Sequence, residues 1–257
     1  MRLITIVGFA LAGAASFATR SFAMGASSGE DWWAPLDHYC ERVGPGFWAE
    51  PFNALTNGAF LLAAAAIFVR QRRAGRADMQ LLVLALLTAS VGIGSFLFHT
   101  LANRWSLIAD IVPIAVVIYS FFFVAMMRFL RLSAIVAGLL TAALLVLSPT
   151  LGAVAKPLLG SSATYAPGLI ATFGVAFAVP LVGRGPMPQL LVAAGTIFSA
   201  ALVFRILDAR LCGSWSVGTH FIWHLLNAAA LGMALLATER VSPRGREVGS
   251  NAVIADT

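Results

Sequence analysis

The sequence predicts an all-α integral membrane protein, in which a bundle of seven transmembrane helices follows a cleaved signal peptide. Hydrophobic residues make up 60% of the 257 residues, charged residues make up only 11%, and the mean hydropathy is +0.88. Soluble domains are far less apolar than this. At about 20 residues per span, the chain accommodates seven or eight helices and no separate soluble domain.

The first 23 residues have the features of a secretory signal peptide. Arg2 precedes a short apolar run, and Ser21 and Ala23 provide small residues at the spacing that signal peptidase prefers. The alternative is an uncleaved additional helix, although the run is short and Arg20 interrupts it. Residues 24–51 then form an N-terminal segment outside the membrane.

Seven apolar stretches follow within residues 52–238, and polar or charged residues separate them. Each stretch is long enough to cross about 30 Å of hydrocarbon, and the sixth is the shortest. The predicted spans are 52–69, 79–100, 107–127, 132–154, 165–183, 188–204 and 217–238. Residues 239–257 include Pro243, Gly245 and several charges, a composition typical of a short cytoplasmic tail.

The basic residues predict the orientation of the bundle. If the mature N-terminus is outside, ten basic residues fall on the inner side and five on the outer side, which favours an N-out, C-in topology. The inner ones are Arg70, Arg72, Arg73, Arg76, Arg128, Arg131, Arg184, Arg240, Arg244 and Arg246, and the outer ones are Arg42, Arg104, Lys156, Arg205 and Arg210. The net charge of +6 is therefore attributed to the membrane topology, and no basic-aromatic motif indicates a nucleic-acid partner.

Five polar residues from three spans are predicted to meet at the outer end of the bundle. Ser95 and His99 are spaced i, i+4 near the end of span two, and Asp110 lies at the start of span three. His220 and His224 have the same i, i+4 spacing at the start of span seven. Because residues four apart share one helix face, each pair presents its side chains together.

Three histidines in this arrangement are typical of a zinc site. Zn²⁺ prefers imidazole nitrogen, and a catalytic site often has three protein ligands and a fourth position for water. His220 and His224 would supply two ligands from one helix and His99 the third. A single histidine within a span is equally compatible with a hydrogen bond to a neighbouring backbone, but ionisable groups within spans tend to mark function.

Asp110 and Ser95 are the predicted catalytic residues beside this metal. Asp110 is the only charged residue between Leu107 and Met127, and it is predicted to act as the general base toward water. The alternative for Asp110 is to orient a ligand histidine. Ser95 is predicted to donate a hydrogen bond to the developing oxyanion, although its place after Gly94 also suits close helix packing.

This set of residues resembles that of the alkaline ceramidases. They belong to a wider group of seven-span hydrolases that includes the adiponectin receptors. The resemblance extends from about residue 37 to residue 238, and the segments that carry it are CER (40–42), AEPFNALTN (49–57), GSFLFHT (94–100) and HFIWHLLN (220–227). It implies a zinc enzyme that hydrolyses the amide bond of a ceramide-like membrane lipid to a sphingoid base and a fatty acid.

The resemblance also implies a calcium loop ahead of the first span. Asp37, Glu41 and Glu50 occupy its carboxylate positions, and calcium prefers such oxygen ligands. Three departures from the family pattern are that Asp37 stands one residue farther from Cys40, that the gap from Glu41 to Glu50 is shorter, and that Val43 occupies the position of a side-chain ligand. The alternative is that these acids interact with Arg42, with other arginines or with water.

The two cysteines are predicted to form a disulfide. Cys40 precedes span one and Cys212 precedes span seven, so the predicted topology places both on the oxidising outer face. The functional alternatives are a zinc hydrolase of another lipid amide or ester, and a receptor-like protein with structural zinc. A channel is disfavoured because the inner halves of the spans are almost free of polar residues. We expect a bacterial inner-membrane location with the site toward the periplasm.

Overall fold

The computed structural model describes residues 31–241, so the predicted signal peptide and most of the predicted tail lie outside the described residues. Within this range the chain is almost entirely helical, and the β-type pairing there is an isolated bridge between Pro35 and Asn103. The α-helices are α1 (Pro51–Thr56), α2 (Gly58–Arg73), α3 (Met79–Leu101), α4 (Arg104–Arg128), α5 (Ala134–Leu159), α6 (Ala166–Leu169), α7 (Val175–Leu181), α8 (Gln189–Leu211) and α9 (His220–Arg240).

Six segments of the described chain are long and apolar enough to cross a membrane. They are Pro51–Arg73, Met79–Leu101, Arg104–Arg128, Ala134–Leu181, Gln189–Leu211 and His220–Arg240. The fourth segment has 48 residues and covers most of both the fourth and the fifth predicted spans. A 3₁₀ segment, Gly160–Tyr165, interrupts it, and Gly160 has a φ of +56°. The 3₁₀ segment and α6 pack back against α5, so the chain changes direction there.

The connection between α3 and α4 determines how the predicted site residues meet. Only Ala102 and Asn103 separate the two helices. The Asn103 side chain accepts a hydrogen bond from the backbone N–H of Ser106, and the Ser106 hydroxyl accepts one from the backbone N–H of Asn103. This capping box fixes the start of α4 immediately after α3 ends. The last turns of α3 and the first turns of α4 are therefore neighbours.

Helix α8 extends well beyond the predicted sixth span. The predicted span ended at residue 204, whereas the helix continues to Leu211. Arg205 and Arg210 therefore lie within a helix and not in a loop, which corrects the sequence-based assignment. The extension is stabilised by Asp208, whose carboxylate accepts hydrogen bonds from the backbone N–H groups of Thr219 at 2.7 Å and His220 at 3.0 Å. These hydrogen bonds offset the cost of burying the Asp208 carboxylate within the helix.

The end of the bundle where α3 ends and α9 begins, here called the site end, carries the predicted chemistry. Helix α9 packs against α2, α3 and α8, and α3 packs against α4. At the opposite end, Arg128 is 1% exposed and its Nη2 donates to Asp78 Oδ1 at 2.5 Å. Arg128 was predicted to lie in an inner loop, but it is buried because Asp78 and Gln80 pair with it.

Candidate metal centre

Three buried histidines converge at the site end of the bundle. His99 comes from α3, and His220 and His224 come from the first two turns of α9. One ring nitrogen from each lies within 4.8 Å of the others, and each residue is at most 2% exposed. Among residues 31–241, this is the group of His, Cys, Asp or Glu side chains with the geometry to hold a metal ion.

Glu50 orients the imidazole of His99. Its Oε2 lies 2.6 Å from His99 Nδ1, which leaves His99 Nε2 buried and without a hydrogen-bond partner. Burial raises the pKa of Glu50, but the hydrogen bond with His99 and further contacts with Asn53 and Arg42 oppose it and lower the pKa below its usual value. A charged carboxylate behind a histidine selects the tautomer whose free nitrogen can bind a metal. Glu50 is thus a partner of His99, a contact that the prediction of Glu50 as a calcium ligand does not include.

The two histidines of α9 are held by different neighbours. His224 Nδ1 lies 3.0 Å from the hydroxyl of Thr56, at the end of α1. The Tyr39 ring stacks on His220 at a centroid distance of 3.7 Å, and His220 Nδ1 is buried without a hydrogen-bond partner. Burial raises the pKa of the Tyr39 phenol, which is therefore neutral. Neither Thr56 nor Tyr39 was predicted, because no pattern distinguishes either residue from an ordinary polar position near a helix end.

Asp110 and Ser95 lie beside the histidines. Asp110 is 7% exposed, and its Oδ1 is buried without a hydrogen-bond partner. The Ser95 side chain and the imidazole of His99 are both close to the Asp110 carboxylate. The structure therefore brings together all five residues that the spacing singled out. It leaves one carboxylate oxygen available to a ligand.

Gly94 allows α3 and α4 to approach closely at this point. A Cβ atom at Gly94 would overlap the backbone carbonyl oxygen of Ala109, the residue before Asp110. Backbone atoms on one side of the contact cannot move aside as a flexible side chain would. A glycine next to Ser95 is thus required for Ser95 and Asp110 to be within hydrogen-bonding distance.

A disulfide holds the N-terminal segment against the site end. The structure pairs Cys40 with Cys212, as predicted, across 172 residues of sequence. The backbone N–H of Cys40 also donates to Asp208 Oδ2 at 3.2 Å, so one carboxylate contacts both the segment and the start of α9. Tyr39, the residue before the disulfide, reaches His220. The covalent link thus fixes one wall of the metal centre.

The contacts of the three predicted calcium ligands do not support a calcium loop. The Glu41 carboxylate accepts hydrogen bonds from the backbone N–H groups of Phe52 at 2.6 Å and Asn53 at 2.8 Å. Glu50 forms an ion pair with Arg42. Burial raises the pKa of Glu41, and these two backbone hydrogen bonds oppose the rise. Asp37 is exposed and does not join a metal-binding group within the described residues. For Glu50, the alternative prediction of an interaction with Arg42 is confirmed.

Comparison with known proteins gives one family. Residues 38–251, most of the chain, match the family model described as Ceramidase. No curated protein is a significant match to the chain. The matched range begins just before Cys40 and includes every residue of the metal centre.

Proposed function

The chain belongs to the ceramidase family, and from this premise we propose that it is a zinc-dependent hydrolase that cleaves the amide bond of ceramide-like lipids within the membrane. The family implies a hydrolase that acts on an amide bond. The observation that carries the finer proposal is the convergence of His99, His220 and His224 around one point, with Asp110 beside them. The products would be a sphingoid base and a fatty acid.

The chemistry of the donor set fits zinc. Three imidazoles offer nitrogen ligands, and both His99 Nε2 and His220 Nδ1 are buried polar atoms without a hydrogen-bond partner. Such atoms are costly unless something binds them. Three protein ligands leave one position open, as in catalytic zinc sites, whereas structural sites are closed by four. When bound, zinc would lower the pKa of a water molecule to about 7 and polarise the amide carbonyl.

Asp110 is the proposed proton carrier of the reaction. Its unpartnered Oδ1 accepts a proton from the attacking water, whose oxygen forms the new bond to the carbonyl carbon. As the C–N bond breaks, the same proton moves from Asp110 to the departing nitrogen, which leaves as the free amine of the sphingoid base. The acyl half leaves as a fatty acid. One carboxylate is therefore sufficient for both proton transfers, because it gains a proton in the first step and loses it in the second.

Ser95 supports two steps of this mechanism. Its hydroxyl lies beside the Asp110 carboxylate, where a hydrogen bond to it would fix the orientation of the carboxylate before substrate binds. On rotation it can donate instead to the oxyanion that forms on the carbonyl carbon, the role proposed from the sequence. Ser95→Ala removes both contributions, and we expect a fall in kcat of about 10²-fold with unchanged zinc content. An unchanged kcat would contradict both roles and would indicate that Ser95 serves only in helix packing.

An apolar cavity one helical turn from Ser95 and His224 could take a short part of the acyl chain. It lies between α3, α4 and α9 and has a volume of about 40 Å³. Its lining is almost entirely apolar, and includes Val91, Val117, Phe121, Leu231 and Ala234. Phe121 and Ala234 lie farther from the site end than Asp110 and His224 do. A hydrocarbon tail that enters this space would place its polar end at the metal centre.

The predicted topology is part of the proposal. The break at Gly160 divides the 48-residue segment into two lengths, which would give seven crossings in total. The arginine distribution favours the site end on the outside, and the disulfide agrees, because disulfides persist in oxidising compartments. We therefore propose an inner-membrane protein with the metal centre toward the periplasm.

A lipid screen with two histidine variants tests the function. Purified protein is reconstituted with zinc and incubated with a lipid extract, and the products are identified by mass spectrometry. We expect wild type to release sphingoid base and fatty acid from ceramide, and His99→Ala to release neither and to lose zinc. His38→Ala is the matched control, since His38 is exposed and outside the metal centre. Release of other amines or of alcohols would assign another lipid amide or ester as substrate.

A further inference from the structure

Arg205 is a cation close to the metal centre that the proposed mechanism does not use. Its Nη1 donates to the hydroxyl of Ser162 at 2.8 Å and lies 3.4 Å from that of Ser161, while its Nε is buried and has no hydrogen-bond partner. Within residues 31–241 it forms no ion pair with a carboxylate. The guanidinium also lies near the phenols of Tyr39 and Tyr165. Its Nε nevertheless remains a buried N–H without a hydrogen-bond partner, which is unusual because buried polar groups are normally hydrogen-bonded.

The surroundings of Arg205 compensate for its charge only in part. Its Cζ lies 5.1 Å from the centre of the Tyr165 ring and 6.0 Å from that of Trp223. Such cation–π contacts are weaker than an ion pair in a dry environment. Trp223 is the residue before His224, so the guanidinium lies near the start of α9 and the metal centre.

Arg205 lines a second cavity, which shares lining residues with the apolar one. The cavity has a volume of about 150 Å³, and Thr164, Tyr165 and Ile111 contribute to its lining. Ile114, Ile118 and Tyr165 line both this cavity and the apolar cavity of about 40 Å³. Arg205 is therefore the cationic residue in the lining of two neighbouring cavities that are otherwise mostly apolar. A lipid with a negatively charged polar end matches that distribution.

We propose that Arg205 binds an oxyanion at the polar end of the lipid, either the carboxylate of the released fatty acid or an anionic head group on the amine side of the substrate. The inference names a ligand of the proposed hydrolase site, and in that sense it rests on the proposed function. The planar guanidinium can present Nε and a terminal nitrogen together to a carboxylate or a phosphate. Neutral ceramide has neither group before it is cleaved, so the two sources predict different kinetics.

The carboxylate source is tested by binding of palmitate and of hexadecanol, which have the same chain length and differ in charge. Both are measured by displacement of a fluorescent fatty acid from the zinc-loaded full-length protein in detergent. We expect Arg205→Gln to lower the affinity for palmitate by about 10- to 100-fold relative to the affinity for hexadecanol. This is the range for a charge-assisted hydrogen bond. Arg210→Gln is the control, because Arg210 is exposed on the same helix, and it should leave the ratio unchanged.

The head-group source is tested by turnover of ceramide and of ceramide phosphate. If Arg205 binds the head group, Arg205→Gln lowers kcat/KM for ceramide phosphate by about 10- to 100-fold relative to ceramide and leaves the palmitate ratio unchanged. Arg205→Lys repeats both arms if the glutamine variant does not fold, because it keeps the charge but not the planar pair of donors. Unchanged ratios in both arms overturn the proposal.

The two proposals can fail separately. Palmitate binding is measured without turnover, so an Arg205-dependent preference in a protein that cleaves no ceramide would support this inference and contradict the proposed function. Cleavage of ceramide with ratios that do not depend on Arg205 would support the proposed function and overturn this inference.

Discussion

Glu50→Gln tests whether the metal centre depends on the carboxylate behind His99. Glu50 lies 2.6 Å from His99 Nδ1, accepts a hydrogen bond from Asn53 Nδ2 at 3.0 Å and pairs with Arg42. Its side chain is 3% exposed, so water cannot replace a lost contact. Glutamine has the same shape but only one acceptor oxygen. It cannot accept from both His99 and Arg42, and its NH₂ group would face another donor.

The structure gives the expected size of two separate effects. Loss of a carboxylate partner of a ligand histidine weakens metal binding by about 10- to 100-fold, which corresponds to about 1.4–2.7 kcal/mol. Arg42 would also remain buried without its counter-ion, and this costs about 3–5 kcal/mol of folding stability. The double variant Arg42→Gln with Glu50→Gln removes the unpaired charge. It should recover part of the stability while the zinc deficit persists.

Zinc affinity is measured by competition with a chromophoric chelator, and stability by thermal unfolding, both on full-length protein in detergent. Glu239→Gln is the control, since Glu239 pairs with Arg70 and is the last but one residue of α9, at the end away from the metal centre. It should bind zinc like wild type. A folded Glu50→Gln protein with wild-type zinc affinity would refute the orienting role of Glu50.

Three further outcomes follow from the contacts described above. Asp110→Asn should lower kcat by at least about 10²-fold and keep the zinc content, because asparagine cannot accept the proton; retained turnover excludes Asp110 as the base. Replacing both Cys40 and Cys212 by serine should lower the stability to thermal unfolding by about 2–5 kcal/mol, and labelling of Cys40 by iodoacetamide without prior reduction would contradict the disulfide. Added calcium should leave the rate of the zinc-loaded protein unchanged, because Glu41 and Glu50 already have partners; a calcium-dependent rise would restore the predicted calcium loop.

Much of the metal centre could be predicted because its chemistry contrasts with its surroundings. Histidine and aspartate within apolar spans are conspicuous, and the i, i+4 spacing of His220 and His224 specifies a shared face without any knowledge of the fold. Asp208 does not stand out in the same way, because Arg205 and Arg210 flank it and give this stretch the composition of a polar loop. In the structure its carboxylate accepts hydrogen bonds from backbone N–H groups.

The supporting contacts could not be predicted, because they join residues that are distant in sequence. Thr56 and His224 are separated by 168 residues, and Glu50 and His99 by 49. Nothing local indicates that Arg42 would take the position beside Glu50. A carboxylate cluster ahead of a span has the same appearance whether its partner is a metal ion or a guanidinium, and only the packing of the N-terminal segment distinguishes the two.

The order of the site residues along the chain has a consequence for biosynthesis. Glu50 and His99 are made early, whereas Cys212, His220 and His224 belong to the last part of the described chain. The covalent cross-link cannot form until Cys212 has been made, and the imidazole set is incomplete until the first two turns of α9 have followed it. The nascent protein therefore inserts most of its helices before it can acquire a metal, and a chain truncated before residue 220 would carry only one of the three imidazoles.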